Sequence, residues 1–253
     1  MPIIFSIFLC FLRVIFHIIP IFHACSCFEN NKIYKIYHMI KYLFFDFDGV
    51  LLNSEPYYQK YWIEACKENG FDLSIEDELT LRSQDHELTR QFFLDIFGRT
   101  ADYEKIHASR KRLMDDYLSD HHFYLKDGVK EVLKYIKENT SYKIAVVSSS
   151  SKEYIAKHAG FNGVFEYFDE VISVRNVARG KPFPDVYLKA IETVGANKEE
   201  VVVFEDSPNG VRSAYNAGLK VIFIEDLSPY DEEIKEKTIN QLKNIKEIIS
   251  LHL

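Results

Sequence analysis

Two carboxylates one residue apart, Asp46 and Asp48, come directly after an apolar run that ends at Phe45. A short apolar run of this kind predicts a strand that is buried in a parallel sheet. Strand alternation directs both carboxylates to the same side, and Gly49 lets the chain turn at once. Acids at the carboxyl end of a strand lie where open α/β sheets bind ligands, and there they can act as nucleophile, acid or base. The alternative is a pair of solvated turn aspartates.

Three later segments also place polar groups at strand ends or in loops that follow strands. They are, in chain order, the four serines that follow Val147, the lysine of the rigid loop Gly180-Lys181-Pro182-Phe183-Pro184-Asp185, and the acids Glu205 and Asp206 that follow Phe204. Because the carboxyl ends of parallel strands share one rim of the sheet, groups that are far apart in sequence can converge there. The sequence therefore predicts one polar site at that rim.

The four segments resemble the four motifs of the haloacid dehalogenase-like hydrolase superfamily. The matching residues are, in order, Asp46-Phe47-Asp48-Gly49-Val50, Ser148, Lys181-Pro182-Phe183-Pro184-Asp185 and Glu205-Asp206-Ser207. The stretch from Asp48 to Glu55 is similar to the branch that contains β-phosphoglucomutase and small sugar-phosphate phosphatases. The resemblance covers residues 40–225 of the chain.

The resemblance implies a role for each of these polar groups. Asp46 would be the nucleophile that forms an aspartyl-phosphate, which splits a hard displacement into two easier ones. Asp48 would protonate the leaving oxygen and later take a proton from water. Ser148 and Ser149 would bind phosphoryl oxygens, and Lys181 would place a positive charge on them. Because dehalogenase-like relatives lack the second acid, Asp48 favours phosphate esters as substrates.

A metal ion is also implied, because a carboxylate and a phosphate dianion repel each other. Mg²⁺ suits this position, since it is a hard ion that prefers oxygen ligands. Its expected ligands are the side chain of Asp46, the backbone carbonyl of Asp48 and the side chain of Asp206. Glu205 would contribute directly or through water.

Three functions remain open at this stage. The resemblance favours a Mg²⁺-dependent phosphatase that hydrolyses a small phosphate monoester, such as a sugar phosphate or a nucleotide-like compound. A sugar-phosphate mutase of the β-phosphoglucomutase type is the nearest alternative. Against it, Tyr58 stands where that subfamily has a cap histidine, and Leu81-Arg82-Ser83-Gln84 matches the cap loop of the mutases poorly. A non-catalytic binding module is disfavoured because no motif acid and no motif lysine is lost.

Hydrophobic periodicity predicts the elements that must position these groups. Residues 54–126 carry helical patterns with no convincing strand, and they form the expected helical cap; the core comprises residues 39–53 and 127–253. After the cap, helical and strand patterns alternate, which predicts a doubly wound α/β core with a parallel sheet. The charged stretch from Glu232 to Ser250 predicts one amphipathic helix or a pair of helices. The cap histidines at 86, 107, 121 and 122 are expected to be mostly solvated. The basic residues at 110–112 can reach the substrate or form a solvated helix face, and the pattern favours the solvated face. Tyr58 and Trp62 are candidates for the cap side of the pocket.

Composition limits the partners of this chain. The formal net charge is −7, and no stretch combines clustered basic residues with aromatic ones, so nucleic acid is excluded as a partner. The expected partner is a small phosphorylated metabolite, and we expect a monomer. Only Cys66 lies outside the first 38 residues, which rules out a disulfide framework and fits the cytoplasm.

Residues 1–38 form a separate hydrophobic leader with three interpretations. About 20 apolar residues suffice to span a bilayer, so residues 1–28 can be a membrane anchor, which would be this chain's one membrane contact. They can also be a signal peptide that ends near Ala24-Cys25, although a positive amino-terminal region is missing. The third interpretation, which Met39 favours because it leads straight into the first strand, is a start site assigned too early.

Overall fold

The computed structural model of this protein describes residues 39–173 and 177–251. Within this part of the chain, the sheet has six strands, all paired in parallel. The strands are β1 (Tyr42–Phe45), β2 (Lys143–Ser148), β3 (Glu170–Ser173), β4 (Val201–Glu205), β5 (Lys220–Ile224) and β6 (Asn240–Leu242). Their order across the sheet is β3-β2-β1-β4-β5-β6.

Strand β1 lies inside the sheet, between β2 and β4. Phe44 faces one side of the sheet and Leu43 and Phe45 face the other, and all three are fully buried, so helices cover both faces. The chain leaves β1 towards β2 and later returns to β4 on the opposite side, and such a reversal creates a ligand-binding crevice at the strand ends. The predicted doubly wound α/β core is confirmed.

The helices fall into two groups by position in the chain: those within residues 54–126, the predicted cap, and those of the predicted core. The cap helices are α1 (Glu55–Glu68), α2 (Ile75–Leu81), α3 (His86–Phe97) and α4 (Tyr103–Asp120). The core helices are α5 (Val129–Asn139), α6 (Lys152–Phe161), α7 (Asp185–Val194), α8 (Pro208–Asn216) and the short α9 (Glu232–Lys237). Helix α2 has no counterpart among the predicted elements. Its N-cap is Ser74, whose Oγ accepts a hydrogen bond from Asp77 N (3.0 Å).

Each group of helices has its own apolar core. One face of the sheet packs against α7 and α8 around Phe44, Val186 and Val211. The cap is held by a separate cluster that includes Cys66, Phe93 and other side chains of α1, α3 and α4. Burial raises the pKa of the Cys66 thiol to about 12, which agrees with an unreactive packing role.

The chain enters and leaves the cap at two adjacent points. Asn53 N donates to Tyr124 O (2.9 Å), and Lys126 N donates to Leu51 O (2.9 Å). These hydrogen bonds join the outgoing and returning segments beside Ser54 and Lys126, the first and last residues of the predicted cap, where its two hinges are expected. The assignment of residues 54–126 to a separate cap domain stays a prediction.

The carboxyl-terminal prediction was wrong. In place of one amphipathic helix or a pair, the chain forms α9, strand β6 and a 3₁₀-helix at Ile245–Leu251. Strand β6 pairs with β5 through three residues, and Glu225 N donates to Leu242 O (2.9 Å) beside it. An edge strand this short shows too little alternation to stand out within a charged, helix-like pattern.

The leader at residues 1–38 lies outside the described residues, so each interpretation of it stays a prediction. Among the residues that the structure describes, none of the helices is long and apolar enough to cross a membrane.

A buried histidine gives the fold a testable response to acid. His158 of α6 is fully buried and stacks on Phe123, with the ring centroids 5.3 Å apart. Neither of its ring nitrogens has a hydrogen-bond partner among the described residues. Burial therefore lowers the pKa of His158 to about 4 from an ordinary 6.5, because the charged form would be desolvated.

We predict that wild type loses more stability than His158→Leu as the pH falls from 6.5 to 4. Over this range the unfolded chain binds a proton at this position that the folded chain does not, so acid favours unfolding. The difference in the free energy of unfolding between the two proteins should change by about 2–3 kcal/mol. Urea titrations at several pH values measure it, with the exposed His121→Gln as control. Parallel acid profiles for wild type and His158→Leu would contradict the prediction.

Candidate active site

The carboxyl ends of β1 and β4 bring three acids together. The register pairs Phe45 of β1 with Phe204 of β4, and Asp46 N donates to Phe204 O (3.1 Å). Asp46 therefore lies level with Glu205, and Asp206 follows directly. One carboxylate oxygen from each of these three residues lies within 4.8 Å of the other two.

Lys181 lies against two of these acids. Its Nζ is 2.6 Å from Glu205 Oε1 and 3.0 Å from Asp46 Oδ2, and its side chain is 1% exposed. The Tyr187 hydroxyl donates to the same Glu205 oxygen. Although burial alone would lower the pKa of Lys181, the charges of Asp46 and Glu205 raise it. The lysine is therefore a fixed positive charge at the rim, as its position in the rigid loop predicts.

Asp46 has an altered affinity for protons. Burial raises the pKa of its carboxyl group, and the nearby charge of Lys181 opposes this rise. Its Oδ2 faces the lysine. A cation near Asp46 would further favour the ionised form, which is the form that a nucleophile requires.

Asp48 is held by three hydroxyl groups. Its carboxylate accepts hydrogen bonds from Ser54 Oγ (2.7 Å), Ser150 Oγ (2.8 Å) and the Tyr154 hydroxyl (3.0 Å). Burial raises the pKa of Asp48, while these donors limit the rise by stabilising the carboxylate. An oriented carboxyl group with a raised pKa is suited to proton transfer. Tyr154, which the sequence did not single out, contributes to that orientation.

The four serines after β2 have different surroundings. Ser148 is buried, and its Oγ accepts from Ser150 N (3.0 Å). Ser149 is exposed and lines the same cavity as Asp46 and Asp48. Ser151 caps α6, since its Oγ accepts from Tyr154 N (3.1 Å). The four serines therefore have three roles: Ser148 and Ser149 line the cavity, Ser150 orients Asp48, and Ser151 caps α6.

Two glycines allow the acids to approach the backbone. Gly49 has φ +82°, and a Cβ there would lie 2.2 Å from Asp206 Oδ2. Gly210, in the first turn of α8, leaves room for Glu205, since a Cβ at that position would lie 2.0 Å from Glu205 Oε2. Side chains at these positions would displace the acids, so the site requires both glycines.

The donor set fits a divalent cation. Asp206 Oδ1 is buried and has no hydrogen-bond partner among the described residues, although a buried carboxylate oxygen normally has one. Asp206 belongs to the cluster formed with Asp46 and Glu205, so oxygen ligands suited to Mg²⁺ lie close together. The Asp48 carboxylate is engaged by hydroxyls, and coordination by its backbone carbonyl stays a prediction.

A cavity of about 300 Å³ lies between core and cap residues, and its lining among the described residues includes Asp46 but neither Glu205 nor Asp206. Five of the predicted site residues line it from the core: Asp46, Asp48, Ser148, Ser149 and Lys181. The cap lines it with aromatic, imidazole and guanidinium groups, among them Tyr58, Trp62, Arg82, His86, His107 and Arg110.

The expectation that the cap histidines and basic residues are mostly solvated was wrong for His107 and Arg110, which are partly buried, and it holds for His86, whose side chain is 55% exposed. His86, His107 and Arg110 line the cavity, whereas Lys111 and Arg112 form exposed ion pairs. Helical periodicity alone does not show which residues of α4 line the cavity and which face solvent, because the face of α4 that meets the core must be known first. Arg82, which sequence reasoning read as a poor match to a cap loop, reaches the acids of the core.

We predict that Gly210→Ala destabilises the protein by about 1–3 kcal/mol, because its methyl group overlaps the buried Glu205 carboxylate. Gly160→Ala is the matched control, since Gly160 is also helical and a Cβ there meets nothing within 4 Å. That control should be neutral or stabilising by up to about 1 kcal/mol. Denaturant titration measures both variants. Equal free energies of unfolding for the two would show that Glu205 does not depend on this close approach.

Comparisons with known proteins agree with this geometry. The family model described as haloacid dehalogenase-like hydrolase matches residues 43–224. A phosphorylated carbohydrates phosphatase from Thermotoga maritima is 27% identical over 183 residues, which cover 71% of this chain and 82% of that protein.

Solved structures share the fold. The crystal structure of CbbY from Rhodobacter sphaeroides in complex with phosphate has a TM-score of 0.68 at 24% identity, covering 85% of this chain and 100% of that one. The crystal structure of β-phosphoglucomutase from Clostridium difficile has a TM-score of 0.66 at 18% identity, covering 84% of this chain and 97% of that one.

The resemblance inferred from four short motifs is thus confirmed over most of the described residues, and the prediction of an enzyme of this class is confirmed with it. The family match spans both the acids at the strand ends and the intervening cap. This chain belongs to the haloacid dehalogenase-like hydrolase family.

Proposed function

We propose that this protein is a Mg²⁺-dependent phosphatase that hydrolyses a small phosphate monoester through an aspartyl-phosphate on Asp46. The observation that carries the proposal is the convergence of Asp46, Glu205 and Asp206 within 4.8 Å, with Lys181 Nζ 3.0 Å from Asp46. A buried acid cluster with one fixed ammonium suits a phosphoryl group and a metal ion better than it suits a neutral substrate.

The metal ion would be held by Asp46, the backbone carbonyl of Asp48 and Asp206, with Glu205 in support. When bound, Mg²⁺ supplies positive charge that offsets the repulsion between the phosphate and the carboxylates. The unpartnered Asp206 Oδ1 supports this assignment.

The first half of the reaction uses both aspartates of the first motif. An Asp46 carboxylate oxygen attacks phosphorus, the ester P–O bond breaks, and Asp48 gives its proton to the departing alcohol oxygen. The raised pKa of Asp48 favours a protonated carboxyl group that can make this transfer. Its three hydroxyl donors keep the group beside the cavity while it changes protonation state.

The second half restores the free enzyme. Asp48 takes a proton from water, the resulting hydroxide oxygen attacks phosphorus, and the bond between phosphorus and Asp46 breaks to release inorganic phosphate. Ser148, Ser149 and Lys181 bind the phosphoryl oxygens in both halves. Ser148 and Ser149 precede α6, whose amino terminus favours an anion.

The cap wall is the part of the cavity that meets the leaving group. Relatives are named as phosphatases of phosphorylated carbohydrates and of fructose 1-phosphate, which supports a sugar phosphate as substrate. Arg110 is oriented by the rings of Trp62 (5.0 Å to the centroid) and Tyr58 (5.5 Å). Its Nε is buried without a hydrogen-bond partner among the described residues, so a sugar hydroxyl or a second anionic group can use it.

We predict that Asp46→Asn abolishes phosphate release, because the amide is too weak a nucleophile to form the aspartyl-phosphate, an acyl phosphate. Colorimetric phosphate release from a panel of small phosphate esters with Mg²⁺ measures this, and Asp116→Asn on the exposed face of α4 is the matched control. Circular dichroism should show both variants folded. Substantial phosphate release by folded Asp46→Asn would overturn the assignment of the nucleophile.

We predict that β-glucose 1-phosphate yields free phosphate rather than glucose 6-phosphate. Tyr58 stands where the mutases have a histidine, and a phenol with a pKa raised by burial is a poor substitute for an imidazole that exchanges protons near neutral pH. Product analysis by NMR separates the two reactions. Accumulation of glucose 6-phosphate would show that the protein is a mutase and that the phosphatase assignment is wrong.

We predict that Arg110→Ala raises KM for the best ester about 10-fold with a smaller change in kcat, because Arg110 contacts the leaving group and lies away from the reacting acids. Arg112→Ala, two residues along the same helix and paired with the exposed Glu68, should leave both constants unchanged. Steady-state kinetics on the two variants decides this. A fall in kcat alone would show that Arg110 acts on the chemistry instead.

A further inference from the structure

Arg82 is a cap residue whose side chain is buried among acids of both the core and the cap. It follows α2, and its side chain is 1% exposed. Its Nη2 contacts both Asp206 Oδ2 and Asp226 Oδ2, and its Nε is 3.0 Å from Glu55 Oε2. Although burial alone would lower the pKa of Arg82, these three carboxylates raise it. The guanidinium is therefore charged, and its removal would leave buried anions without a partner.

The two oxygens of Asp206 have different surroundings. Oδ2 receives the Arg82 guanidinium and lies where Gly49 leaves room for it. Oδ1 is buried without a partner among the described residues, and Asp206 is a member of the acid cluster that fits a cation. The contact on Oδ2 thus determines the direction in which Oδ1 points.

The backbone around Arg82 is attached to the core at the same place. Asn209 Nδ2 donates to Arg82 O (2.9 Å) and to Thr80 O (3.1 Å). Three residues further on, Asp85 N donates to Lys181 O (2.7 Å), and Gly180 N donates to Asp85 Oδ2 (2.7 Å). Residues 80–85, here called the docking loop, therefore bring Arg82 to Asp206 only when the cap lies against the core.

We propose that Arg82 is a positioning residue for the metal site, and that it couples metal binding to cap closure. With the docking loop in place, the guanidinium holds Asp206 so that Oδ1 faces the ion. By linkage, an ion that binds better to the closed form also stabilises that form, and the two effects are equal in free energy. The inference rests on the metal site of the proposed function.

The affinity of the protein for Mg²⁺ is the direct test, measured by isothermal titration calorimetry without substrate. Arg82→Gln should weaken binding roughly 10-fold or more, since the loss of a group that orients a metal ligand has effects of this size. Arg82→Lys keeps the charge but not the forked contact, so its Mg²⁺ affinity should lie between those of wild type and Arg82→Gln. Arg90→Gln, an exposed cap arginine paired with Glu87, is the control and should match wild type.

Hydrogen exchange tests the coupling first in the unmodified protein, where the result does not depend on how well a variant folds, and then in Arg82→Gln. Mg²⁺ should slow amide exchange in the docking loop of wild type by at least several-fold and should have little effect there in Arg82→Gln. Equal or tighter Mg²⁺ binding by folded Arg82→Gln would overturn the proposal, as would unchanged exchange in the wild-type loop.

Asp206→Asn separates this inference from the proposed function. If Asp206→Asn loses Mg²⁺ binding while Arg82→Gln keeps it, only the role of Arg82 fails. If Asp206→Asn binds Mg²⁺ as wild type does, the metal site itself has been assigned wrongly.

Discussion

Asp46, Glu205 and Asp206 lie within 4.8 Å of one another, and each is at most 3% exposed. Buried carboxylates without compensating charge are strongly unfavourable, so this concentration of acid determines what must surround it. Lys181 contacts two of the acids and Arg82 contacts the third, and both side chains are 1% exposed. One cation comes from a core loop and the other from the cap. The electrostatic balance of the site therefore depends on the two parts of the chain being together.

Backbone geometry makes that concentration of acid possible. The parallel register sets Asp46 level with Glu205. A shift of one strand by one residue would turn its acid to the opposite face of the sheet, so the convergence of the acids depends on this register. Gly49 and Gly210 then leave the space that the Asp206 and Glu205 carboxylates occupy. Both glycines are needed for close approach rather than for flexibility.

The cap contributes two kinds of chemistry to the same cavity. Near the core acids it supplies Arg82, which contacts Asp206. Further away it supplies Arg110 and the aromatic ring of Trp62, which line the same cavity. Closure of the cap would thus complete the charge balance and enclose the substrate in one movement, and enclosure strengthens every electrostatic interaction inside.

The sequence by itself determined the parallel α/β core, the helical region between Ser54 and Lys126, and the polar groups of the rim, including Asp46, Lys181 and Asp206. These follow from local signals, because strand periodicity and strand-end position are readable along the chain. Tertiary structure alone decided strand β6, whose three residues carry no periodicity, and the contact between Arg82 of the cap and Asp206 of the core. Arg82 lies 124 residues from Asp206 in sequence, and nothing in its immediate neighbours distinguishes it from a solvated arginine. Its position depends on how the cap packs against the core, since contacts between distant segments are set by docking and not by local pattern.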